Sequence, residues 1–168
     1  EIMNQAHLHM VLNHFPIIGL IFGIGVLFYG IIKKHSILIN TAYVIFIICM
    51  IMGKATMMTG EGAEEVAEKL NISHDLIHNH EEVAETFMKL LYGLGILSIL
   101  GLFANIKKHD KAFILSLIIL ILATGSSILS IKVGNSGGEI RHTEIRESAS
   151  VSNTSDSNHH EESHNDDH

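Results

Sequence analysis

Four long apolar segments constrain this chain more than any other feature of its sequence. A membrane-spanning helix needs about 20 consecutive apolar residues, because the hydrocarbon core of a bilayer is ~30 Å thick. The chain has 168 residues, of which 47% are hydrophobic, and the apolar residues occur in blocks of this length. We therefore predict an integral membrane protein with spans at about residues 11–32, 37–58, 83–106 and 112–133.

Very short connections predict how these spans are arranged. Residues 33–36 join the first span to the second, and residues 107–111 join the third to the fourth. Because short loops make consecutive helices antiparallel neighbours, the predicted fold is an all-α, up-down four-helix bundle. Residues 1–147 are predicted to form this transmembrane domain, and residues 148–168 a disordered tail rich in His, Ser and acidic residues.

The distribution of charge predicts the orientation in the membrane. The two short loops share an excess of lysine, at Lys33, Lys34, Lys107, Lys108 and Lys111. Asp110 is the only one of the 18 acidic residues that lies in them. Since cytoplasmic loops collect Lys and Arg, we expect a multi-pass protein of the bacterial inner membrane with both termini periplasmic. The expected surroundings are the lipid bilayer, and no nucleic-acid partner is expected.

Histidine carries the clearest functional signal. The chain has 13 histidines, and the predicted topology brings a subset to the periplasmic end of the bundle: His7, His9, His14, His74, His78, His80 and His142. Imidazole is the commonest metal ligand and an axial ligand of heme. The convergence of three separated sequence segments therefore predicts a metal or cofactor site at that end.

Helical phase separates the histidines that precede the third span. His80 follows an apolar stripe that also contains Phe87, so its side chain is predicted to face the bundle. His78 shares a polar stripe with Glu82, so His78 and His74 are predicted to face water or lipid headgroups.

The first span contains the single proline of the chain. Pro16 has no backbone N–H, and the residue before it, Phe15, disfavours the α conformation. The span is therefore predicted to begin at Pro16, after a separate short helix or an extended arm. If the helix is continuous instead, His7 and His14 share a face and His9 diverges; if it breaks, His9 can fold back beside His14.

Two imidazoles on facing helices above an apolar interior can hold a b-type heme by axial ligation. We predict His14 and His80 as the first-choice axial pair. The further cofactor-binding residues are predicted to be His9, His142, Lys54 and Arg141. The two histidines would be alternative ligands or hold a second heme, and the two cations would meet heme propionates.

A glycine pair precedes one of these histidines. Gly137 and Gly138 are predicted to turn the chain back over the mouth of the bundle, so that His142 caps the site.

A bare metal ion is the alternative occupant of the same histidines. His14, His80, His9 and His142, with a carboxylate such as Glu81, would suit zinc or copper. The sequence contains no HExxH motif, and no nucleophile–base pair stands out. An electron-transfer subunit is therefore favoured over a stand-alone enzyme.

A third hypothesis is a non-catalytic structural or assembly subunit of a respiratory membrane complex. Gly19 and Gly23 form a GxxxG motif in the first span, and Gly93 and Gly95 lie in the third. Small residues of this kind allow close packing between membrane helices.

The stretch HLHMVLNHFPIIG resembles the opening motif of a family of short bacterial four-helix membrane proteins of unknown function, written H-P-x-x-x-H-F-P. The matching residues are His9, His14, Phe15 and Pro16, and Met10 stands where the family has proline. Weaker similarities occur at residues 59–60 (TG), 80–81 (HE) and 137–138 (GG), so the resemblance covers about residues 7–147. Some relatives are associated with c-type cytochrome modules. The resemblance therefore implies heme and electron transfer with a c-type cytochrome or a respiratory complex.

Overall fold

Every element of regular structure in the described part of the chain is helical. The computed structural model describes residues 2–141, with side chains from residue 6 to residue 140. The helices are α1 (Ile2–Leu12), α2 (His14–Ile32), α3 (Ser36–Met58), α4 (Gly60–Lys69), α5 (His74–Ile106) and α6 (Ala112–Arg141). The predicted tail at residues 148–168 lies outside the described residues.

Four of the helical segments are long and apolar enough to cross a membrane. They are Ala6–Ile32, which joins the end of α1 to α2, then Ser36–Met58, His74–Ile106 and Ala112–Ile140. The predicted all-α membrane bundle with four spans is therefore confirmed, and the chain has the make-up of a multi-pass membrane protein.

The helices α2, α3, α5 and α6 form a ring. Each packs against its neighbour in the order α2–α3–α5–α6, and a smaller contact between α6 and α2 closes the ring. Its core contains large side chains that are fully buried, among them Leu20, Leu27, Tyr43, Phe46 and Leu91. The outward faces carry many exposed Ile and Phe side chains, as expected for helices surrounded by lipid.

The two short turns of the bundle have the same local structure. Lys34 and Lys108 both adopt a positive φ, of 50° and 53°. The N–H groups of His35 and His109 then bond to carbonyl groups five residues earlier. This is the Schellman pattern, which satisfies the last carbonyls of a helix and reverses the chain. The end of the bundle that contains these two turns is called the lysine end below.

The opposite end extends beyond the apolar part of the bundle. Lys54, Lys89 and Lys132 are all exposed. At ~1.5 Å per residue they lie about 25–30 Å from the lysine end of their helices, which matches the ~30 Å of the hydrocarbon core. Beyond them lie α1, α4 and the adjoining ends of α3, α5 and α6, together called the histidine end. There α1 packs mainly against α4.

The first span is interrupted at Asn13 rather than at Phe15. Pro16 lies in the first turn of α2, where its missing N–H costs least. Asn13 keeps helical backbone angles (φ −64°, ψ −24°), and its N–H bonds to the carbonyl of His9 at 3.0 Å. The predicted start at Pro16 is therefore wrong by two residues, and α1 continues almost directly into α2.

The helices α5 and α6 are longer than the spans predicted at residues 83–106 and 112–133. Their extra turns are polar and lie at the histidine end, so hydropathy alone does not reveal them. The turn predicted at Gly137 and Gly138 is wrong, because both residues lie inside α6. Neither glycine has a positive φ.

Candidate functional site

His80 lies half-buried between α5 and α6. Its Nδ1 is 2.8 Å from the Oγ of Ser136, a buried residue of α6. The hydroxyl of Ser136 donates its own proton to the carbonyl of Val133, at 3.1 Å. We assign Nδ1 of His80 as the donor, because this arrangement leaves the Ser136 proton with the carbonyl of Val133. A neutral His80 then carries its lone pair on Nε2.

A glycine of α6 lets the His80 ring approach this closely. A Cβ atom at position 137 would lie 3.2 Å from Cε1 of His80 and 3.7 Å from its Nδ1. The first distance is tighter than ordinary van der Waals contact, so a larger residue would displace the ring. Gly137 therefore has a packing role beside His80, as small residues do where membrane helices meet closely.

His9 projects from α1 onto the end of α3. Its Nδ1 is 3.1 Å from the carbonyl oxygen of Thr56 and 3.1 Å from the Oγ1 of Thr59. A carbonyl oxygen can only accept, and the Thr59 hydroxyl donates to the same carbonyl at 2.8 Å. Nδ1 of His9 is therefore also a donor, and a neutral His9 carries its lone pair on Nε2. In this way α3 orients His9 as α6 orients His80.

His9 and His80 lie close enough to interact electrostatically. Hydrogen bonds to two different helices fix their Nδ1 atoms, and no bond within the described residues uses either Nε2. Metal-bound histidines have this arrangement: one ring nitrogen binds the metal and the other donates to an oxygen, which fixes the ring and raises its basicity. The pair can therefore offer two oriented nitrogen ligands.

His14 lies on a different face from His9. It is exposed, and its Nδ1 donates to the carbonyl of Met10 in its own helical segment at 2.7 Å. His7 is exposed as well, which corresponds to the continuous-helix alternative. The electrostatic interaction thus links His80 to His9, and ligation by His14 stays a prediction.

The histidines at the start of α5 face away from the bundle. His74 and His78 are exposed, and Nε2 of His78 lies 3.6 Å from the carboxylate of Glu82 on the same helix face. Both side chains occupy a polar surface, in keeping with the stripe that they share with Glu82.

The structure describes fewer contacts for the remaining predicted site residues. Lys54 is exposed on α3, near the boundary of the hydrocarbon core. Arg141 is the last residue of α6, but its side chain lies outside the described residues, as does His142. Between residues 6 and 140, no group of three or more His, Cys, Asp or Glu side chains could hold a metal ion.

The acidic helix α4 meets α5 through two carboxylates. Glu64 of α4 faces Glu81 of α5, and the Glu81 charge is the main cause that raises the pKa of Glu64 above its ordinary value. Desolvation and Glu68 add to this effect, and His74 opposes it. Glu81, which the sequence suggested as a metal ligand, is thus engaged with a second carboxylate.

Sequence reasoning missed the residues that orient the two imidazoles. These are Thr56, Thr59, Ser136 and Gly137. Hydroxyl residues and glycines are common near the ends of membrane helices. Only the pairing of α1 with α3 and of α5 with α6 shows which of them meet a histidine.

Comparison with protein-family models, curated proteins and solved structures finds no match for this chain. The resemblance to the family with the H-P-x-x-x-H-F-P motif stays a prediction.

Proposed function

We propose that this protein binds a b-type heme at the histidine end and transfers electrons there, with His9 and His80 as the axial ligands. The observation that carries the proposal is the pair of Nε2 lone pairs, each oriented by a hydrogen bond through Nδ1. A bis-histidine heme takes two ligands from the protein, because the porphyrin supplies the other four nitrogens. The number and type of ligands at the histidine end fit this cofactor.

Heme fits the described ligand set better than zinc does. A structural zinc takes four protein ligands and a catalytic zinc takes three, whereas the proposed site uses two imidazoles, which interact electrostatically. A bound heme would supply one-electron chemistry. The residues of the chain would hold the two rings at a fixed angle, and Lys54 and Arg141 are the cations proposed to meet the propionates.

The proposed setting is the bacterial inner membrane, with the histidine end in the periplasm. Support comes from the charge asymmetry: lysines dominate the two short turns, and the acidic residues of α4 and α5 lie at the other end. A partner such as a c-type cytochrome or a respiratory complex subunit would dock there. An acidic surface favours a basic partner, because complementary charge speeds encounter.

Absorption spectra of the purified full-length protein, expressed with added heme precursor, test the proposal. We expect a low-spin b-type spectrum in the oxidised and reduced states. His9→Ala and His80→Ala should each lose that spectrum, because each removes one axial nitrogen. His14→Ala is the matched control, since it removes an exposed imidazole from the same segment, and it should keep the spectrum.

Two outcomes would contradict this assignment. A wild-type protein that binds no heme would overturn the proposed function. Loss of the spectrum in His14→Ala but not in His9→Ala would replace the proposed ligand pair. Elemental analysis of the same samples covers the alternative: stoichiometric zinc or copper that is lost in His80→Ala would indicate a bare metal site.

A further inference from the structure

An apolar groove runs along α5 and α6 at the lysine end. It has a volume of about 400 Å³ and is open rather than enclosed. Aliphatic side chains of both helices form its walls, among them Leu100, Ala104 and Ile118. His109 and Lys111, from the turn between the helices, line its end.

The groove fits within one leaflet of a bilayer. From Leu100 to Ile106, where α5 ends, the chain advances six residues, or about 9 Å of helix. Half of a hydrocarbon core is about 15 Å thick. The groove therefore lies in the half of the hydrocarbon core next to the lysine end, and its exposed side chains face the lipid.

The polar end of the groove offers donors and positive charge. The backbone N–H of Lys111 donates to Nδ1 of His109 at 3.2 Å, so a neutral His109 carries its proton on Nε2. Lys107, Lys108 and Lys111 give this turn three positive charges against the single negative charge of Asp110. An ammonium group and an imidazole N–H are donors that a phosphate accepts.

We propose that the groove binds an anionic phospholipid, with one acyl chain between α5 and α6 and the phosphate against Lys111 and His109. The apolar walls match the chain, and the turn complements the charge of the headgroup. The site lies at the opposite end of the bundle from His9 and His80, so it is independent of the proposed heme function.

The turn between α2 and α3 provides an internal control. It contains Lys33, Lys34 and His35 and has the same Schellman geometry as the turn between α5 and α6. None of these three residues lines the groove. If the groove selects the lipid, substitutions in the two turns should differ in their effect on lipid retention, although the turns have similar charge.

Native mass spectrometry tests this difference. The sample is the full-length protein, extracted from vesicles that contain equal amounts of phosphatidylglycerol and phosphatidylcholine. These two lipids are the probes. We expect the wild type to retain one phosphatidylglycerol in preference to phosphatidylcholine. The double variant His109→Ala/Lys111→Ala should retain it at least about fivefold less, since one lysine near an anionic lipid contributes about 1 kcal/mol. The control His35→Ala/Lys33→Ala should retain it like the wild type.

A second variant tests the apolar part of the groove without changing any charge. Ala104→Phe should fill the space between the helices and expel the lipid. Equal retention in the His109→Ala/Lys111→Ala variant and its control would overturn the proposal. Equal retention of the two phospholipids, or an isoprenoid quinone or a second protein copy found in place of a phospholipid, would also overturn it.

Discussion

The two ends of the bundle use histidine in opposite ways. At the histidine end, the Nδ1 atoms of His9 and His80 donate to oxygens, which leaves a lone pair on each Nε2. At the lysine end, Nδ1 of His109 accepts a backbone N–H, which leaves a proton on Nε2. The first arrangement suits a metal and the second an anion. The partner of Nδ1 therefore decides which ligand a histidine can take, and the number of histidines in the sequence does not.

Among substitutions that keep both imidazoles, the largest expected effect comes from removing the hydrogen-bond partner of His80. Ser136→Ala deletes the acceptor of the His80 Nδ1–H and frees the ring, so heme affinity should fall by about 10–100-fold, as for other residues that orient metal ligands. Heme titration of the purified variant measures this. Ser130→Ala is the control, since Ser130 is also buried in α6 but bonds only to the carbonyl of Ser127. Equal losses in both variants would contradict a specific role for Ser136.

A smaller effect is expected at His9, which has two acceptors. Thr59→Val removes the hydroxyl, but the carbonyl of Thr56 still accepts from Nδ1. Heme affinity should therefore fall by less than about tenfold, below the effect of Ser136→Ala. The same titration provides the measurement, with Thr41→Val as the control because Thr41 bonds only within α3. A Thr59→Val effect larger than that of Ser136→Ala would show that the hydroxyl is the main partner of His9.

Between the two ends, a buried hydrogen bond should affect stability and neither site. Tyr43 donates to the Oγ of Ser116 at 2.9 Å and so links α3 to α6 across the core. Tyr43→Phe should lower the free energy of unfolding by about 0.6 kcal/mol, the average for such bonds in membrane proteins. Unfolding in mixed micelles, in a double-mutant cycle with Ser116→Ala, measures the interaction. A coupling energy near zero would mean that the bond does not stabilise the bundle.

The smallest expected effect is the pH dependence of α4. The raised pKa of Glu64 means that folding favours its protonated form, so this stabilisation is present at acid pH and is lost as pH rises through the folded-state pKa. Glu64→Gln removes the charge and should slow hydrogen exchange in α4 at pH 7 but not at pH 4. Glu65→Gln, in the same helix, is the control. Equal protection of wild type and Glu64→Gln at pH 7 would contradict repulsion by Glu81.

The bundle could be predicted from the sequence because hydropathy and loop length act locally. The two turns at residues 33–35 and 107–111 determine which helices are antiparallel neighbours. The polar extension of α6 was not predicted, since it carries no hydrophobic signal, whereas the helical phase of His78 and His80 already placed the start of α5 before its apolar span. The break in the first span also lies elsewhere than predicted. The chain is helical at Phe15 and is interrupted at Asn13.

The candidate site was only partly predictable. Phase along α5 was sufficient to turn His80 toward the bundle and His78 away from it. The sequence predicted His14 as the partner of His80, and the electrostatic interaction of His80 with His9 supports our proposal of His9 instead. That choice depends on how α1 packs against α3 and α4, and the periodicity of the first span does not contain this information.

The hydrogen bonds at the histidine end also set an order of events during synthesis. The helix α1, which contains His9, leaves the ribosome before α6, which contains Ser136, the residue that orients His80. Until α6 has joined the bundle, His80 has no partner for its Nδ1, even though both imidazoles are already present. Loading of the proposed cofactor would therefore follow insertion of α6, and the loaded cofactor would report that α5 and α6 have joined.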